Sequence, residues 1–158
     1  MSYNPNPKYL GIVLDRSLTF GTHLNQVALK IISRNNIVQK LSGSNWGSSA
    51  ETLRTSALSL VYSVAEYCAP AWMNSKNCHL VDTQLNVTMR IISGTLKATN
   101  LAWLPVLCNI APPDLRRTNI AKHMYNNCLF YEKSLLFEII KDNVPDRLIS
   151  RKPIWKTQ

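Results

Sequence analysis

Only one short stretch of this chain, Tyr9-Leu10-Gly11-Ile12-Val13-Leu14-Asp15, has the β-branched, turn-bounded character of a strand. From Thr22 onward the apolar residues recur at helical spacing instead. That change of period is the tightest constraint on the fold. A lone strand cannot satisfy its own backbone hydrogen bonds, and the remaining sequence offers no good second strand. The expectation is a mainly α chain, with one N-terminal strand followed by a bundle of five or six helices. It also suggests a piece of something longer, which would hold the strand's partner.

The first helix carries Leu24, Val27, Ala28, Ile31, Ile32, Val38 and Leu41 on one stripe, with Thr22 able to cap its start and Ser42-Gly43 to end it. Asn45-Trp46-Gly47-Ser48 reads as a turn. A capping-box pattern, Ser48-Ser49-Ala50-Glu51, opens the second helix. Its main apolar face is Leu53, Ala57, Leu60, Val61, Val64, Tyr67 and Cys68, with Leu58, Tyr62 and Ala65 on the other side and Pro70 as its end. A third helix is expected from Lys76 to Ser93, with Gly94 as its exit. The apolar segment from Leu101 to Ile110 is interrupted by Pro105. Pro112-Pro113-Asp114 then starts another helix, because proline and acid both suit a first turn. A last short helix would hold Leu135, Leu136, Ile139 and Ile140, ahead of a basic tail.

Composition narrows the function classes. At 158 residues with 46% apolar and 17% charged residues, the chain is globular and long enough to bury a core. No apolar run approaches the ~18–20 residues that cross a bilayer. Met1 to Lys8 is polar and carries prolines, without the apolar stretch of a secretory signal, so a nuclear or cytoplasmic rather than secreted protein is expected. Cys68, Cys78, Cys108 and Cys128 are too widely spaced for a zinc site, although Cys78 stands beside His79; reduced, partly buried thiols are expected, and no metal site. Eighteen Lys and Arg against nine Asp and Glu give a net charge of +9. That excess suggests a polyanionic partner, nucleic acid ahead of an anionic membrane face.

No catalytic constellation emerges. Asp15, Glu51, Glu66 and Asp82 sit in different elements with no Asp-Asp pair to converge on a cation, and the later acids alternate with Lys and Arg like a solvated face. Neither a nucleophile elbow nor a phosphate-cradling glycine loop occurs. What remains is charge on helices. Between Arg16 and Ala50 lie Lys30, Arg34 and Lys40 and no acid, with Lys30 and Arg34 one turn apart on the same side. Such a face suits phosphate contacts that position a backbone without reading bases; an ordinary solvated helix face is the plain alternative. Arg116-Arg117 near a helix N-terminus oppose the helix dipole, so a partner anion is expected there too. Arg151, Lys152 and Lys156 around Trp155 form a third basic group, suited to single strands or to a disordered end.

Several residue groups, in order, resemble the reverse transcriptase of jockey-like non-LTR retrotransposons. Tyr9-Leu10-Gly11-Ile12-Val13-Leu14-Asp15 resembles the strand that closes the palm. Leu18-Thr19-Phe20, His23-Leu24, Arg34-Asn35-Asn36, Leu41-Ser42-Gly43 and Trp46-Gly47 resemble the thumb, and Leu53-Arg54-Thr55 and Glu66-Tyr67-Cys68-Ala69-Pro70-Ala71-Trp72 its next helix and exit. Asn86, Met89-Arg90, Ile92-Ser93-Gly94-Thr95, Trp103-Leu104-Pro105-Val106-Leu107 and Ile110-Ala111-Pro112-Pro113-Asp114-Leu115-Arg116-Arg117 resemble the family's segment beyond the thumb. The resemblance implies a palm remnant at 1–20, a thumb-like region at 21–70 and a C-terminal helical extension at 71–158. It implies non-sequence-specific contact with the backbone of an RNA or DNA primer–template through Lys30, Arg34, Lys40 and Arg54, with Arg116 and Arg117 as further candidates. The family's Mg2+ is held by palm aspartates that have no counterpart here; the fingers and most of the palm are also missing, so no catalytic residue and no cofactor carry over. A domesticated helical protein-interaction module, using surfaces around Trp46, Trp72 and Trp103, and a non-functional relic are the alternatives.

Overall fold

The computed structural model describes residues 5–43, 47–131 and 137–138. The protein is a helical bundle with a small antiparallel hairpin at its N-terminal end. The single strand expected from the sequence is in fact that hairpin. Strands β1 (Lys8–Tyr9) and β2 (Ile12–Val13) pair Lys8 with Val13 and Tyr9 with Ile12. The run folds on itself because Leu10 and Gly11 both take positive φ, 45° and 86°, as a two-residue hairpin turn requires. The strand's partner is thus its own first half. Leu14 N–H closes the base on Pro7 O at 2.9 Å.

A polar turn then aims the chain into helix α1 (Gly21–Leu41). Asp15 accepts from the Thr19 N–H at 2.7 Å and the Thr19 hydroxyl at 2.6 Å, and the hydroxyl bond above all holds its carboxyl below the usual range. Thr22 lies inside the helix rather than capping it; the preceding residue, Phe20, is left-handed with φ 57° and offers no side-chain cap. The stripe buried by α1 includes Leu24, Val27, Ala28, Ile31 and Val38, whereas Ile32 and Leu41 face outward.

Helix α2 runs without a break through Ala50–Ala57, Leu58–Tyr62 and Ser63–Ala65, its middle segment being a π-turn. Ser49 caps it by accepting from Thr52 N–H, so the capping pair is one residue beyond the expected Ser48/Glu51 pair. The π-turn spends an extra residue, and the apolar stripe advances by one beyond it. Tyr62 and Ala65 of the expected far side are therefore buried, Val61 of the expected face stays buried, and Leu60 and Tyr67 of that face are exposed. Pro70 does not end this helix. The helix ends at Ala65 with Glu66 as its C-cap, a left-handed Cys68 then turns the chain, and Pro70 occupies the first turn of α3 (Ala69–Trp72).

Helix α4 (Cys78–Ser93) is the main neighbour of α1 and leaves through left-handed Gly94, as expected. Their interface carries one buried polar bridge. Thr88 Oγ1 donates to Asn35 Oδ1 at 2.7 Å, and Asn35 Nδ2 donates to Gln84 O at 3.2 Å. Such a bridge fixes the register of the two helices, since a slip would strand both groups in apolar surroundings. A 3-10 turn (Leu101–Trp103) leads into α5 (Leu104–Cys108), and α6 (Pro113–Phe130) lies mainly against α3. One apolar cluster joins Leu24 to Ile110 and includes Trp72, Val81, Leu85 and Met89, so the core is shared across the expected boundary between residues 70 and 71. The expected helix at Leu135–Ile140 and the basic tail fall outside the described residues, apart from Phe137 and Glu138. No helix among the described residues is long and apolar enough to cross a membrane.

Candidate functional site

Where the hairpin leans on α1 and α2, it encloses an open cleft of about 380 Å3. Lys30 and Arg34 line it from α1, one turn apart, and Lys8 joins them from β1. Sequence reasoning pairs the first two but misses Lys8, because only the folding back of the hairpin places it there. Among the described residues no acid lines the cleft. Lys8 and Lys30 are exposed and Arg34 is half-buried.

Two contacts hold this geometry. Arg34 Nη1 donates to the carbonyl of Leu60 within the π-turn, which orients the guanidinium toward α2. Tyr67 Oη donates to Leu10 O at 2.9 Å, tying the hairpin's turn to the end of α2. Gly11 is needed at that turn twice over. Its φ is +86°, and a Cβ would stand 3.3 Å from Tyr67 Cε1.

The floor contains His23, buried at 4% exposure. The Val13 N–H donates to its Nδ1 at 3.4 Å, so in the neutral ring the proton sits on Nε2. That Nε2 has no hydrogen-bond partner. Burial, and secondarily the charge of Lys30, hold the His23 pKa below its ordinary value.

The other candidate residues lie elsewhere. Lys40 is exposed in the last turn of α1, ten residues beyond Lys30, which is about 15 Å along the axis and on a different side. Arg54 Nε donates to Asn109 O at 3.1 Å, linking α2 to the left-handed exit of α5. Arg116 forks onto Glu66, with the second bond at 2.9 Å, and lies 5.0 Å above the ring of Tyr62. Arg117 forks onto Asp82, with its second bond at 3.0 Å, and lies 5.9 Å from the ring centre of Trp72. The chain itself supplies the anions expected for this arginine pair, and Arg117 is only 6% exposed. Trp72, expected at an interaction surface, is buried at 1% exposure; Trp103 is exposed and Trp46 lies outside the described residues.

The cysteines are free thiols: Cys78 and Cys108 are buried, and Cys68 and Cys128 half-buried. Among the described residues no three of His, Cys, Asp and Glu are grouped to hold a metal ion. Asp15, at the end of the hairpin, spends its carboxylate on Thr19. No protein-family model, no curated protein and no solved structure matches this chain.

Proposed function

We propose that the chain is the thumb and following helical region of a non-LTR retrotransposon reverse transcriptase, gripping the nucleic-acid backbone without reading its sequence. The observation that carries the reading is the cleft lined by Lys8, Lys30 and Arg34 and, among the described residues, by no acid. Lysines and arginines converging on a groove suit phosphates, which position a duplex and carry no sequence information. The family-like segments also meet in space: Glu66 takes Arg116, and Arg117 lies over Trp72. In this reading the palm and fingers, which would carry polymerisation, are its partners. Its setting would be the nucleus or cytoplasm.

The test is binding of labelled RNA–DNA and DNA duplexes of unrelated sequence across a salt series. Affinity is expected to fall steeply with salt and to vary little with sequence. Lys8→Ala and Lys30→Ala should each lower the logarithmic salt slope by about one unit. Binding indifferent to salt, or no binding at all, would overturn the reading. A second reading, a protein-interaction module, rests on the exposed run Leu101, Trp103, Val106 and Leu107. Capture of a defined protein partner that Trp103→Ala abolishes would favour it.

A further inference from the structure

We propose that the cleft between the hairpin and helices α1 and α2 holds a phosphate oxyanion, with the His23 Nε2–H donating from its floor and Lys8, Lys30 and Arg34 surrounding it at the rim. The inference rests on the nucleic-acid reading for the natural source of the phosphate, and on the cleft itself for the site.

The lining decides the chemistry of the ligand. Three cationic side chains reach the cleft from two elements, and among the described residues no carboxylate does. The histidine adds a donor rather than an acceptor, because the Val13 N–H has taken the lone pair of Nδ1. Donors and positive charge together exclude a cation and call for an anion with several acceptor oxygens. The volume, about 380 Å3, is far more than the ~30 Å3 of a water and admits a phosphate with part of its ester group.

His23 supplies the second, independent indication. Buried donors almost always find an acceptor, and a buried one left over asks for an explanation. Here Nε2 is closed to solvent and has no partner, although Nδ1 is used. In the proposed site an anion reaches it by displacing a side chain of the rim. Lys8 and Lys30 are free to move, since neither makes a hydrogen bond or an ion pair among the described residues, and Lys30 is already near enough to bear on the imidazole. Arg34 is the fixed member, anchored on Leu60 O with its other N–H groups unspent among the described residues. Tyr67 is committed to Leu10 O and supports the wall.

The experiment is a phosphate titration of the full chain, 15N-labelled at histidine, at constant ionic strength with chloride as the control. The His23 Nε2 resonance is expected to move with saturation, and the His23 pKa to rise, because an anion beside the ring favours its cation. His23→Asn keeps an acceptor for Val13 N–H and removes the outward donor; it should weaken phosphate binding at least about tenfold, the usual worth of a hydrogen bond to a charged group. His23→Gln, which places an amide donor near Nε2, should bind within a few-fold of the native chain. Oligonucleotides with and without a terminal phosphate separate the sources. A response to both assigns the site to backbone phosphates, and a response only to inorganic phosphate or the terminal monoester assigns it to a monoester. No response of His23 to any of these would overturn the site. Salt-dependent duplex binding with a silent His23 would overturn the site and leave the nucleic-acid reading standing. A responsive His23 without duplex binding would do the reverse.

Discussion

The Arg117–Asp82 pair predicts an asymmetry that a cycle of mutants can read. The arginine side chain is 7% exposed and the aspartate 31%. Removing Asp82 leaves a guanidinium buried under Trp72 without its anion, whereas removing Arg117 leaves a carboxylate that can turn to water. Breaking a buried pair by losing one partner costs about 3–5 kcal/mol, and the partial exposure of Asp82 puts Asp82→Ala near the lower end, at about 3 kcal/mol. Arg117→Met keeps the length and much of the apolar stem, removes the charge, and should cost about 1 kcal/mol. The double variant should fall close to Arg117→Met alone, a coupling of about 2–3 kcal/mol. Urea unfolding followed by circular dichroism measures all four corners of the cycle. With a slope near 2 kcal/mol/M, Asp82→Ala moves the midpoint down by about 1.5 M and the second mutation recovers most of that. If Asp82→Ala proves no more costly than Arg117→Met, or if the two add, the pair is not the buried clasp described above.

Four further outcomes are expected. Gly94→Ala should cost about 1 kcal/mol, the penalty of a left-handed residue alone, since its φ is +63° and nothing stands within 4 Å of the new methyl. Gly11→Ala should cost more in the same urea unfolding and, on the proposed function, should loosen nucleic-acid binding, because its Cβ would crowd the Tyr67 ring that ties the hairpin to α2. Acidification should weaken the fold through His23. Its folded pKa is depressed below an unfolded value near 6.5, so its contribution is complete above that pH and is lost as pH falls through the folded pKa. Urea midpoints at pH 7.5 and 5.5 should differ less in His23→Gln. Timed thiol labelling of the native chain should modify Cys68 and Cys128 first, and Cys78 and Cys108 only slowly, since burial pushes both of the latter thiols up.

Much of the bundle is legible in the residues, and the exceptions have identifiable causes. Period and punctuation place α1, α4 and α6, with Gly94 and Pro113 at the expected termini. The second helix defeats the same reasoning midway. A π-turn at Leu58–Tyr62 adds Tyr62 and Ala65 to the buried side while turning Leu60 outward, and nothing in Leu-Ser-Leu-Val-Tyr distinguishes it from an ordinary helical turn. The hairpin is hidden by its shortness: two residues per strand are too few for alternation to show, though Gly11 marks the turn. Charge patterning finds Lys30 and Arg34. It does not tell them from Arg116 and Arg117, whose counter-ions lie 50 and 35 residues away in sequence. The clue available is compositional, since Glu66 and Asp82 lack a local partner on their own helices. His23 carries no sequence signal at all, because its unspent nitrogen exists only once Val13 has claimed the other.

The manner in which α6 is fastened bears on how the molecule comes apart. Of its eighteen residues, only Arg117 and Ala121 are buried, and beside it runs an apolar furrow of about 400 Å3 between Cys68, Pro70, Met124 and Cys128. The helix is attached by two ionic forks and two aromatic faces rather than by a seam of leucines. Such an element is expected to behave as a separate cooperative unit, its amides exchanging with solvent by a local undocking that costs less than global unfolding. When it lifts, Tyr62 and Trp72 lose their guanidinium covers while the cluster from Leu24 to Ile110 stays closed. The two arginines that read as nucleic-acid contacts in the sequence are thus the latch of the bundle's outer helix.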